Sequence, residues 1–133
     1  SVIVSMVPSC LFTPISIVPS CLYTEPEIAS VGLTETQARE KGVQIRVGRY
    51  DMKGNGQQII SRETGGFIKV IFAANSDVLL GAQIMCARAT DMIGELATAL
   101  ANGLTSTQLM YAMRAHPTFN EAISCAVENS RES

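Results

Sequence analysis

The sequence predicts an α+β domain in which an antiparallel sheet of about four to five strands carries helices packed on one face. Three observations lead there. Between Ile28 and Cys86, apolar runs of strand length are separated by short connections rich in Gly, Asn and Asp. Beyond Arg88 the apolar spacing changes to that of helices. Strands followed by helices, rather than alternating with them, place the helices together on the sheet. The chain has 133 residues and is 47% hydrophobic, which suffices for one domain that buries about two-thirds of its unfolded surface.

No charged residue occurs from Ser1 to Thr24, but Pro8, Pro14 and Pro19 would break a spanning helix, and the basic flank of a secretory leader is missing. The segment holds a direct repeat instead. Val7-Pro8-Ser9-Cys10-Leu11-Phe12-Thr13 is followed by Val18-Pro19-Ser20-Cys21-Leu22-Tyr23-Thr24. Residues 1–17 are therefore expected to be an extension, residues 18–128 the domain and residues 129–133 a tail. If the domain has one slot for a strand of this sequence, the first copy competes for it or adds to the edge of another molecule.

Glu25-Pro26-Glu27 reads as a turn, and Ile28 to Leu33 as a short apolar strand closing at Gly32. Thr34-Glu35-Thr36-Gln37 forms a capping box that opens a short polar helix, which Gly42 stops. Val43, Ile45 and Val47 alternate with Gln44, Arg46 and Gly48, which predicts a strand whose second face is wet. The glycines of Gly54-Asn55-Gly56 do not make a dinucleotide fingerprint, because position 59 is Ile and no helix begins there. Asn55-Gly56 reads as a turn between antiparallel strands. Gln57 to Glu63, Phe67 to Ala74 and Val78 to Cys86 continue an antiparallel meander. Met92, Ile93, Leu96, Ala97 and Leu100 then trace a helix ended by Asn102-Gly103. Thr105-Ser106-Thr107-Gln108 caps another, carrying Leu109, Met110 and Met113.

The last helix follows the only histidine. Phe119, Ala122, Ile123, Ala126 and Val127 recur at the spacing of one apolar helix face. Glu121 lies roughly 200° round from Phe119, away from that stripe. Pro117 keeps His116 out of helical geometry, so the imidazole sits on the connection and shares an exposed edge with Glu121. Thr118-x-x-Glu121 is also a capping box, which claims the same carboxylate for backbone donors.

Net charge is −2, and the basic residues are scattered from Arg39 to Arg131 without a run, which disfavours a polyanion or an anionic membrane as partner. Without Trp there is little stacking surface for single-stranded nucleic acid. Cys10, Cys21, Cys86 and Cys125 have no metal-ligand spacing and read as reduced thiols of a cytoplasmic protein, with Cys86 buried in a strand. Cys125 lies near Glu121 on the helix surface, which admits a Cys/His nucleophile, although nothing resembling an oxyanion site accompanies it.

Four motifs in order now carry a resemblance. Thr24-Glu25-Pro26-Glu27-Ile28-Ala29-Ser30-Val31-Gly32-Leu33-Thr34, Gly65-Gly66-Phe67-Ile68-Lys69-Val70, Leu80-Gly81-Ala82-Gln83-Ile84 and Ala115-His116-Pro117-Thr118 with Glu121 resemble the carboxyl-terminal dimerisation domain of flavin-dependent pyridine nucleotide-disulfide oxidoreductases. Among these the chain is most similar to the dihydrolipoamide dehydrogenases, from about Val18 to Glu128. The resemblance implies a homodimer in which His116 is the acid–base residue of the partner subunit's site, Glu121 orients it, and Pro117, on a cis peptide, lies near the flavin. It also implies FAD and NAD in a full-length enzyme, with neither bound to this stretch alone. The implied partners are lipoyl domains of 2-oxo acid dehydrogenase or glycine cleavage complexes. The glycine motifs for FAD and nicotinamide and the CxxxxC redox pair of that family are absent from these residues, so the stretch is expected to be inactive alone. Two alternatives stay open: a stand-alone dimerising module in which His116 and Glu121 serve only as turn and cap, and the same domain of another disulfide reductase such as glutathione reductase.

Overall fold

The computed structural model describes residues 17–55 and 65–132. The first copy of the repeat with Cys10, nearly all of the extension, the strand expected over 57–63 and Ser133 lie outside the described residues. Among the described residues five strands are formed, by Ser20–Leu22 (β1), Glu27–Gly32 (β2), Ile45–Asp51 (β3), Phe67–Ala73 (β4) and Leu79–Cys86 (β5). The helices are Glu35–Glu40 (α1), Ala89–Ala101 (α2), Ser106–Tyr111 (α3) and Glu121–Arg131 (α4).

All pairings are antiparallel, in the order β1-β2-β5-β4-β3. β3, β4 and β5 are a meander, whereas β2 joins beside β5 and the chain crosses through α1 to the far edge. The register puts Gly48, Val70, Ala82 and Val31 in one row across the sheet. All four are buried, because this is the face on which α2 packs over β2 and β5, and α4 over β3 and β4. Ile68, Phe72, Ile84, Leu96 and Ile123 fill the layer between them. The short helix is the exception. Glu35 of α1 pairs at 2.6 Å with Lys69, which points to the opposite face from Val70.

The face of β3 expected to be wet, that of Arg46 and Gly48, is the covered one, and the exposed Arg49 and Asp51 lie on the other face with Ile45 and Val47. Gly48 lies under α4, and a Cβ there would come within 2.0 Å of the Ala126 carbonyl oxygen. The polar-looking half of β3 is a landing strip for a helix, and it contains a glycine because the helix backbone comes that close. Arg46 is half-buried and paired with Asp77. The capping boxes at Thr34 and Thr105 both form. α1 ends before Gly42, whose φ of +74° lies in the left-handed region that glycine tolerates. α3 stops at Tyr111, two residues short of where its apolar spacing would carry it, so Met113 is outside it and 99% exposed. Phe119 precedes the last helix rather than opening it, yet packs against the core. That helix runs on to Arg131, so residues 129–131 are its final turn and not a tail. There Ser130 is buried and Asn129 donates to the Arg49 carbonyl at 2.8 Å.

Candidate functional site

The connection between α3 and α4 carries His116. Pro117 has no N–H to continue α3 or start α4, and the His116–Pro117 peptide is cis, as is Glu25–Pro26. The imidazole is 76% exposed and presents Nδ1 to both carboxylate oxygens of Glu121, at 2.9 and 2.8 Å. A carboxylate only accepts, so in the neutral ring Nδ1 holds the proton and Nε2 is the lone-pair nitrogen. The sequence places these two side chains on one edge, and the fold brings them into contact.

The competing cap is half formed. The Thr118 N–H donates to Glu121 Oε1 at 2.8 Å, but the Thr118 hydroxyl donates to the Ala115 carbonyl at 2.7 Å and makes no bond to the Glu121 N–H. One carboxylate therefore serves backbone and imidazole together. The His116 hydrogen bond, followed by the Thr118 N–H, holds the Glu121 carboxyl below its ordinary value. Its place in the first turn of α4 adds favourable interaction with the helix dipole.

Pro117 and Phe119 line, with Arg88 and Met92 of the α2 approach, a cavity of about 400 Å³ beside the turn. Cys125 is half-buried near the Tyr50 hydroxyl. Burial, Glu128 and Glu121 push its thiol pKa up, the wrong direction for a thiolate nucleophile. Cys21, Cys86 and Cys125 are unpaired thiols, and Cys86 is fully buried in β5. Among the described residues no cluster of His, Cys, Asp and Glu could hold a metal ion. Among the described residues Gly65 and Gly66 lead into a strand and not into a helix N-terminus of the kind that meets a pyrophosphate.

Two further side chains reach the His116 connection without having been legible in the sequence. Asn55, read as a turn residue, is buried at the end of the 3₁₀ turn Met52–Gly54 and donates through Nδ2 to the Thr118 carbonyl at 2.9 Å. Its partner is 63 residues away, beyond any local pattern. Arg114, two residues before His116, has a side chain only 6% exposed and paired with Glu95 of α2. A lone charge between Met113 and Ala115 was its only signal.

The family described as pyridine nucleotide-disulphide oxidoreductase, dimerisation domain, matches residues 18–127. Dihydrolipoyl dehydrogenase of Bacillus subtilis is 41% identical over 104 residues, which cover 78% of this chain and 22% of that protein. Dihydrolipoyl dehydrogenase of Rhizobium etli is 42% identical over 102 residues, covering 77% and 21%. Among solved structures, the HOCl-induced flavoprotein disulfide reductase RclA of Escherichia coli superposes with a TM-score of 0.80 at 27% identity, covering 84% of this chain and 26% of that one. LpdA of Mycobacterium tuberculosis shares the fold, with a TM-score of 0.80 at 24% identity over 90% of this chain and 26% of that one. The chain thus spans about a fifth of the length of the curated relatives it matches.

Proposed function

The chain belongs to the dimerisation-domain family of the pyridine nucleotide-disulphide oxidoreductases, and on that premise we propose that it is the interface domain of a dihydrolipoyl dehydrogenase, supplying His116 and Glu121 to the active site of a partner subunit. The observation that carries this reading is the contact between an exposed imidazole and a carboxylate at its inner nitrogen. Dithiol–disulfide exchange begins with a thiolate, and a free thiol with a pKa of about 8.5 is mostly protonated at neutral pH. His116 Nε2 takes the S–H proton as the sulfur attacks. The ring then carries a proton on each nitrogen, and Glu121 stabilises that cation through Nδ1–H. In the reverse direction the same proton returns to the leaving thiolate. In this reading the electrons pass to a disulfide, FAD and NAD bound by regions outside this chain, so the stretch alone moves protons and is inactive as a reductase.

The same reading makes the protein a homodimer, with lipoyl domains of 2-oxo acid dehydrogenase or glycine cleavage complexes as partners and the cytoplasm as its compartment. No helix among the described residues is long and apolar enough to cross a membrane. A dimerising module without catalytic role has its own support. Met110, Tyr111 and Met113 are 38, 81 and 99% exposed on the approach to His116, an apolar surface that suits a partner subunit.

A chimera separates the two readings. Residues 18–128 replace the corresponding domain of the Bacillus subtilis dihydrolipoyl dehydrogenase, and His116→Ala is introduced. Loss of a general acid–base group should lower lipoamide turnover by ~10² to 10⁴. A change of less than about threefold, on that same scale, would leave only the dimerising module.

A further inference from the structure

His116 projects into solvent and is gripped at one nitrogen only, by a carboxylate on α4. An imidazole held in this way keeps one orientation only if the backbone beneath it is fixed. The stretch from Ala112 to Asn120 is neither helix nor strand, so no ladder fixes it. Two buried side chains do. The Arg114 guanidinium donates from Nε to both Glu95 oxygens at 3.1 Å, and its NH2 nitrogen closes a second bond to Glu95. Its NH1 nitrogen reaches the carbonyls of Leu109 and Ala112 at 3.2 Å each and the Ser124 hydroxyl at 2.5 Å. One planar group thereby joins α2, the end of α3 and α4 at the foot of the His116 connection. Beyond the histidine, Asn55 holds the Thr118 carbonyl at 2.9 Å from the turn that follows β3.

We propose that Arg114 and Asn55 are positioning residues that clamp the His116 connection on its two sides, so that the His116–Glu121 pair points one way into the partner's site. The proposal rests on the acid–base reading of His116. A largely buried ion pair contributes little net stability over apolar side chains of the same volume, so stability alone does not explain Arg114. What distinguishes the site is its geometry. All three guanidinium nitrogens meet acceptors, Nε and NH2 at Glu95 and NH1 at Leu109, Ala112 and Ser124, which suits the rigid fork of a guanidinium and not a single ammonium nitrogen. Lysine in its place keeps the charge beside Glu95 but cannot span to Ser124 and the two carbonyls together.

The test uses ¹⁵N-labelled full chain with Arg114→Lys and, separately, Asn55→Ala, each checked for a cooperative thermal transition. The first readout is the imidazole ¹⁵N shifts of His116 at a pH where the ring is neutral. In the unaltered protein a single tautomer with the proton on Nδ1 is expected. In each folded variant the two nitrogens should shift toward each other as the tautomers average. Folded variants with unchanged His116 shifts would overturn the clamp. If Arg114→Lys does not fold, Asn55→Ala decides. The second readout places Arg114→Lys in the chimera, where misplacing the base should lower kcat by about tenfold or more at nearly constant KM. Adding it to His116→Ala should cost nothing further, because both act through one imidazole, whereas additive losses would assign Arg114 to some other task. A silent His116→Ala with averaged tautomers in the variants would instead sink the acid–base reading while leaving the clamp geometry intact, so the two failures are distinguishable.

Discussion

At the level of single residues, one carboxylate organises the turn. Glu121 accepts from the Thr118 N–H and from His116 Nδ1 together, and both bonds favour its ionised form. Its folded pKa is therefore lowered, so the stabilisation it gives is fully present above the unfolded carboxyl value and is lost as pH falls through the folded one. A ¹³C titration of the Glu121 side chain should show an inflection below the ordinary 4.5, and His116→Ala should move it upward. An inflection at or above 4.5 would mean that the pair does not form in solution. Glu121→Gln keeps an acceptor for both donors but removes the charge, so in the chimera it should retain fold and KM and lose kcat.

At the level of elements, small residues and caps decide where helices sit. Gly48 lets α4 lie directly on β3, and a methyl group there meets the Ala126 carbonyl. Gly48→Ala should destabilise the domain by about 2–3 kcal/mol through overpacking, read from urea denaturation; an effect within about 0.5 kcal/mol would mean that α4 slides freely on the sheet. The N-terminus of α2 depends on a residue from another element. Arg88 gives it no side-chain cap, and Glu27 at the start of β2 accepts from the Thr90 N–H at 3.0 Å and hydroxyl at 2.7 Å. Glu27→Ala should cost about 1–2 kcal/mol in the same assay, the usual worth of a lost cap. Thr105→Ala, which breaks the capping box of α3, should cost about 1 kcal/mol.

At the level of the whole molecule, the apolar surface around Tyr111 and Met113 is where a second copy is expected. Light scattering across a concentration series should give a dimer, and Met113→Lys should weaken it by about tenfold, as for a residue near the centre of an interface. A concentration-independent monomer would place the dimer contacts in regions outside this chain. We expect the chain to keep its melting temperature and oligomeric state when residues 1–17 are removed, because β1 in the sheet comes from the second copy of the repeat, Ser20–Leu22. A changed number of subunits would show that the first copy takes part in assembly.

Whatever rests on local periodicity and local chemistry was readable from the sequence. That includes the strand and helix identities among the described residues, the caps at Thr34 and Thr105, the helical stripe through Ile123, and the adjacency of His116 and Glu121 within one connection. These depend on neighbours a few residues away, and their spacing is printed in the chain. What joins distant segments was decided by the tertiary structure alone. The polar-looking face of β3 is buried because a helix some 80 residues later lands on it. Asn55 and Arg114 hold the His116 connection because the sheet order brings the turn after β3 beside α4, and brings α2 beside α3. A hydrogen bond between such segments leaves no periodic trace in either, because each side chain satisfies a partner that local sequence does not specify.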